Sequence, residues 1–447
     1  VTARAFAGVA LGAALLVWPA LWNGYPLVFS DTGGFLHQTL GPLMLWDKPY
    51  VYGPFLHLFH ARLSLWGPLA AQALLVSHLL WLTQRALRGS ATAGAHLALI
   101  VLVAALTAAP FTISLLLPDL FAPVTLLALF LLGFAADRFG RGGQVYLMAL
   151  ATLAIATHLA HLPLAAALFA ATLLADLWMR RPWQAWRVAL PLLAALTVVV
   201  LGNVVGHGRF AVSPHGATFL LARLQADGPA TETLRARCPA SGWYLCGFLA
   251  RLPMDSDAFL WDPDSPVNRD AEGRPRSIGG ALLAPEAGAI IAETLRRDPL
   301  GVAVAMLRNT AIQAVTVAIG DTLGNAWLDA TVRARLAQGF PSREQAAFAA
   351  GHQARDTLRA ALTPLATLHA AVLLAALPLA GVGVWRAWRT GDRLRLVFAA
   401  CILLGLAANA FATGALSKPH HRYQARIVWL LPMAALLLWL PPRARQD

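Results

Sequence analysis

Long apolar runs, separated by short clusters of arginine, set the pattern of this chain. Runs long enough to cross a hydrocarbon layer of roughly 30 Å lie near residues 5–22, 67–84, 93–110, 119–136, 144–160, 162–179, 188–205, 365–385, 396–413 and 426–441. The pattern predicts an all-α polytopic membrane protein with about ten transmembrane helices. The run 5–22 has no polar region ending in a small-residue cleavage site, so it is read as a retained first span. Between 206 and 363 the pattern changes to Pro, Gly and Asp clusters, such as Trp261-Asp-Pro-Asp-Ser-Pro266, which are loop chemistry. Helical pieces are predicted there at Glu286–Arg297 and Arg343–Ala361. The reading is a membrane domain at 1–205 with its first loop at 23–66, an inserted module at 206–363 that packs on the membrane domain, and three further membrane helices within 364–447.

Charge then fixes the orientation. With the amino terminus in the cytoplasm, Arg85, Arg88, Arg138, Arg141, Arg180, Arg181 and Arg187 all fall inside, as do Arg386, Arg389, Arg393, Arg395, Arg443 and Arg445. Ten spans satisfy the positive-inside rule at every inner loop, and the reverse orientation fails it at nearly all of them. The net charge of +13 is therefore a topology signal and not the mark of a nucleic-acid partner. With 58% hydrophobic and only 13% charged residues, the chain lies outside the range of soluble domains. Dominance of Ala, Leu and Arg suggests a GC-rich bacterial genome, hence an inner (cytoplasmic) membrane, both termini cytoplasmic and the large module periplasmic. The stretch 300–319 does not fit as a span, because counting it would push Arg386–Arg395 outside. It carries Arg308, Asn309 and Gln313, and reads as an amphipathic or re-entrant helix at the outer surface.

On that reading the unusual polar groups gather on one side. Asn23–Phe35 puts Asp31 at a membrane surface, where an ionisable group is a functional candidate by default. Its neighbours Ser30, Thr32, Gly33 and Gly34 suit a tight turn with free backbone N–H groups; an ordinary polar loop is the competing reading. The same loop adds His37, Asp47, Lys48, Tyr50, Tyr52, His57, His60 and Arg62, with Leu56–Trp66 suited to an interfacial helix. His57 and His60 share a helical face, as solvated interface residues more than as metal ligands. Asp119 after Pro118 is either a helix cap or a second carboxylate at the depth of Asp31. His158 and His161 mark the end of another span pair. Lys418, Arg422 and Arg426, beside His420 and His421 and with Tyr423 in the same segment, place positive charge outside against the topological bias. Such groups suit an anionic partner, either a phosphate held by the planar arginine fork or lipid headgroups. Cys238 and Cys246 either form a disulfide, in an oxidising compartment, or remain free thiols; Cys401 reads as a small core residue.

The apolar first span, the carboxylate-bearing loop, Pro118-Asp119 at the start of span four, the large inserted module and the late basic Arg422-Tyr423 segment together resemble the glycosyltransferase-C superfamily. The resemblance covers the membrane portion, spans one to seven most clearly. It implies transfer of a sugar from a polyprenyl-phosphate-linked donor to an acceptor on the extracytoplasmic side, with inversion. It also implies Asp31 as general base, with Asp119 as a further catalytic candidate. The donor phosphate would be held by Arg422, with Lys418, Arg426 and His421 near it, and His37, Lys48, Tyr52, His158 and Tyr423 would line the substrate. Many members carry paired acids; Ser30-Asp31-Thr32-Gly33-Gly34 has one, so a divalent metal stays open as a cofactor without a paired-acid motif to support it, and no other cofactor is assigned. The acceptor, whether glycan, lipid or protein, stays open. Two other readings compete: a transporter or flippase of a lipid-linked or anionic solute, which predicts inverted repeats and midplane charges, and a non-catalytic membrane assembly partner.

Overall fold

The computed structural model describes residues 3–41, 43–178, 180 and 182–440. Arg181, Arg443, Arg445 and the last residue of two predicted spans lie outside the described residues. Within them the chain is helical throughout, and its only extended pairings are isolated bridges. Every predicted span is helix, but four helices are long and apolar enough to cross a membrane: His161–Trp178, Ala185–His207, Leu358–Arg389 and Arg393–Ala415. A fifth is reached if Trp66–Arg88 and Ala93–Leu106, which meet at 116°, count as one.

Proline explains two of the shorter segments. The first run splits at Val17 into Ala3–Leu16 and Trp18–Asn23, with Pro19 at the start of the second piece, where its missing N–H costs nothing. The last run splits at Trp429 into His421–Val428 and Leu430–Trp439; Pro432 cannot donate to the Val428 carbonyl four residues back.

Among the described residues two main apolar cores result, with a small third cluster of Ala376, Leu431 and Ala435. The larger joins the membrane-type helices, from Ala13 and Leu16 through Phe121–Leu132 to Trp429 and Leu438. The smaller belongs to the first part of the inserted stretch and runs from Leu221 to Val302 around Phe259, Leu283 and Ile290. The second part of the stretch, with Ile319, Leu323, Val332, Leu336 and Phe348, packs into the larger core. The predicted helix Glu286–Arg297 is the end of a longer one, Gly279–Arg297. The predicted helix Arg343–Ala361 is two, Ser342–Ala350 and Leu358–Leu362. The break between them is held open because Gln353 bonds elsewhere. Its side chain accepts from the Val28 N–H (3.1 Å) and donates to the Val28 carbonyl (2.7 Å), and its own N–H donates to Asn23 Oδ1 (2.7 Å).

The helix Pro299–Val315 packs with two of its polar residues inward and Arg308 outward. Asn309 and Gln313 are buried while Leu300, Val304, Leu307 and Val315 are exposed. Asn309 donates to Asp227 (2.6 Å), and Gln313 exchanges two 2.9 Å bonds with the His420 backbone. A side chain at Gly414 would strike the Asn309 carbonyl, so glycine there lets the helix come this close.

Candidate functional site: a carboxylate between two cations

The Ser30-Asp31-Thr32-Gly33-Gly34 stretch is not a tight turn with free N–H groups. It is the first turn of the helix Ser30–Leu40. The Thr32 hydroxyl accepts from the Phe29 N–H (2.9 Å) and donates to the Leu116 carbonyl (2.9 Å), so a single residue caps the helix and ties it to the next loop. Leu27 bridges the same segment, donating to Ser114 (3.0 Å) and accepting from Leu116 (2.9 Å). Glycine is needed at 33 for packing: a Cβ there would lie 2.6–2.9 Å from Thr331.

Held this way, Asp31 presents its two oxygens to two cations. Lys48 Nζ lies 3.4 Å from Oδ1 and Arg422 Nη2 lies 3.5 Å from Oδ2. Lys48 also pairs with Asp47. Burial alone would raise the Asp31 pKa, but Lys48 and Arg422, with a smaller contribution from His158, outweigh it and hold the carboxyl below its usual range. Of the residues the sequence reading grouped as a site, Lys48 and Arg422 lie directly against Asp31.

Arg422 is prepared on every side but one. Its guanidinium lies between the rings of Phe29 (4.5 Å) and Tyr423 (4.9 Å), and Nη2 donates to the Tyr423 hydroxyl (3.3 Å). Its backbone N–H donates to Asp321 Oδ2 (2.9 Å). Nη1 is buried without a hydrogen-bond partner. Arg422 lines a crevice with Asp119, Asp321, Thr322 and Arg426. The crevice, at about 20 Å³, holds one water and no more in this conformation.

The other candidates divide. Asp119 and Arg426 form a buried pair at 3.1 Å, and Arg426 also donates twice to Asn409 Oδ1 (3.1 and 2.8 Å). Tyr52 is a core residue, its hydroxyl on Gln72 (3.2 Å) and its ring against Phe35, Phe55 and Phe121. His37 sits in the last turn of the Asp31 helix, about 9 Å along the axis from Asp31, beside Gly41. Lys418 is drawn to Asp255 (2.7 Å) and Asp257 (2.9 Å), with His420 3.3 Å from Asp257. His421 accepts from the Ala318 N–H (3.0 Å) and so fastens the segment that carries Asp321. Cys238 and Cys246 are joined in a disulfide with Cα atoms 5.4 Å apart. His57 and His60 face each other with ring centres 5.0 Å apart; among the described residues no three His, Cys, Asp or Glu side chains converge as a metal site would require.

Asp321 was missed by sequence reasoning. The signal was present: like Asp31 and Asp119, it is an acid just beyond an apolar helix, Pro299–Val315. No family model matches the chain, and no match is found among curated proteins or solved structures.

Proposed function

We propose that the chain is a membrane glycosyltransferase of the glycosyltransferase-C type. It would move a sugar from a polyprenyl-phosphate-linked donor to an acceptor on the extracytoplasmic face of a bacterial inner membrane. The observation that carries the reading is Asp31 held between Lys48 and Arg422, where Arg422 lines a crevice and keeps one buried nitrogen without a partner. The proposal includes ten spans, cytoplasmic termini and residues 206–363 outside, since this arrangement satisfies the arginine bias.

In the reaction, Asp31 takes the proton of an acceptor hydroxyl as its oxygen bonds to the anomeric carbon. The bond from that carbon to the phosphate oxygen breaks, and its electron pair leaves with the polyprenyl phosphate. Arg422 neutralises the charge that grows on the leaving group, more strongly in the transition state than before it. Attack opposite the leaving group inverts the anomeric centre. Donor phosphate competes with Asp31 for Arg422, so donor binding itself releases the base. The closed crevice must open at the 316–322 segment to admit the sugar.

The test is turnover and binding in proteoliposomes, with a panel of polyprenyl-phosphate sugars. Wild type is expected to transfer sugar from one of them, Asp31→Asn to lose about 100-fold or more of that rate, and Arg422→Ala to weaken binding of polyprenyl phosphate itself. Full turnover in Asp31→Asn, or no polyprenyl phosphate bound by wild type, overturns the reading.

A further inference from the structure

The two oxygens of Asp31 face different surroundings. Oδ2 meets Arg422 beside the crevice, whereas Oδ1 meets Lys48, and Lys48 leads to the inserted module. Its ammonium lies 5.9 Å from the ring centre of Trp261, within the Trp261-Asp-Pro-Asp-Ser-Pro266 loop that the proposed reaction does not use. Trp261 belongs to an aromatic cluster with Trp46 (6.1 Å) and Phe219 (6.0 Å); Trp46 stacks on Phe219 (5.4 Å) and meets His215 edge-on. Gly280 lets Trp46 seat, since a side chain there would run into its ring. These neighbours fix Trp261, yet it remains 50% exposed. Asp262 beside it is exposed as well, and Asp264 is exposed and paired with Arg269 (2.5 Å).

A fixed, half-open indole face flanked by carboxylates is a surface for a pyranose. The C–H face of the sugar carries partial positive charge and meets the negative face of the ring, while carboxylates accept from its hydroxyls. A membrane-interface anchor is the competing role for an exposed Trp. Asp262 argues against it, because anionic headgroups and an exposed carboxylate repel each other.

We propose that Trp261, backed by Trp46 and Phe219, is the acceptor subsite and that the acceptor is a glycan. This rests on the transferase reading. The donor phosphate is assigned to the Arg422 side of Asp31, and a nucleophile must approach the anomeric carbon from the side opposite the leaving group, which is the Lys48 and Trp261 side. A sugar stacked on Trp261 delivers its neighbour's hydroxyl to Asp31. The proton goes to the carboxylate and the oxygen to the anomeric carbon, as in the reaction above.

The experiment uses the full chain in lipid nanodiscs, applied to an array of immobilised neutral oligosaccharides. Wild type is expected to be retained on a subset of glycans. Trp261→Ala should reduce that retention about tenfold, and Trp261→Phe should restore most of it. If no glycan retains wild type above empty nanodiscs, the subsite is overturned. It is equally overturned if Trp261→Ala retains glycan as wild type does and only loosens the protein in the membrane, the behaviour of an interface anchor. The two readings fail separately: Trp261-dependent retention without turnover on any donor removes the transferase and keeps the glycan site. Turnover lost in Asp31→Asn but indifferent to Trp261→Ala does the reverse.

Discussion

Arg422 and Arg426 stand one helical turn apart on the same helix, and each faces an aspartate distant in the chain, yet the two pairs are built differently. Arg426 and Asp119 are 1% and 7% exposed, 3.1 Å apart, and Arg426 is further saturated by Asn409. Arg422 and Asp31 are 17% and 31% exposed and 3.5 Å apart, with one guanidinium nitrogen unpartnered. Both pairs touch the crevice, but breaking the first strands a buried charge, whereas the second is more exposed and keeps a nitrogen without a partner. Position along the helix does not separate the two pairs; the number of donors left over does.

The largest effect is expected at the closed pair. Arg426→Ala should cost about 3–5 kcal/mol by leaving Asp119 buried and unpaired, read as a fall in thermal unfolding temperature in detergent. The double change Asp119→Leu with Arg426→Leu should recover much of it, and a double variant as unstable as the single would show that Asn409, and not the ion pair, holds the helix. Next comes Gly33→Ala, which forces the Asp31 helix away from Thr331 and should cost about 1–3 kcal/mol while also weakening polyprenyl-phosphate binding. Unchanged binding in that variant would mean that Asp31 need not be held where it is. Arg422→Ala should change stability by less than about 1 kcal/mol and still lower phosphate affinity, the opposite balance to Arg426→Ala. If the two arginines behave alike in both measurements, the contrast between the pairs fails.

The smallest effect is in pH. Asp31 is held below the usual carboxylate range by Lys48 and Arg422. Its contribution to stability is therefore complete above the unfolded-state value of about 4 and is lost as pH falls through the lower folded value. The difference in unfolding temperature between wild type and Asp31→Asn should stay level from pH 8 down to about 4 and shrink only below that. The Lys418 cluster follows the same sign, because Lys418 and His420 outweigh burial and hold Asp257 at about 2.

Hydropathy was enough to find the helical runs, since twenty apolar residues leave few alternatives in a bilayer. It did not find their breaks at Val17 and Trp429, which depend on single prolines, nor the inward polar face of Pro299–Val315, which depends on partners far along the chain. Within the site, Asp31 and Arg422 could be picked out because charge at a membrane surface is rare. Lys418 could not be told from Arg422, because what separates them is Asp255 and Asp257 on a segment more than 160 residues away. Gly33 and Gly34 read as a turn because glycine permits one; the close approach of Thr331 that explains Gly33 is invisible in one dimension.

The clamp of Gln353 on Val28 carries a consequence for synthesis. The ribosome makes the Asp31 helix early, Gln353 some 325 positions after Val28, and Arg422 later still. Between those moments the first loop has Lys48 but neither Gln353 nor Arg422, so the Asp31 carboxylate keeps one of its two cations while the Val28 backbone waits for its partner. The contacts that fix the first loop are completed only after residue 422 has been made.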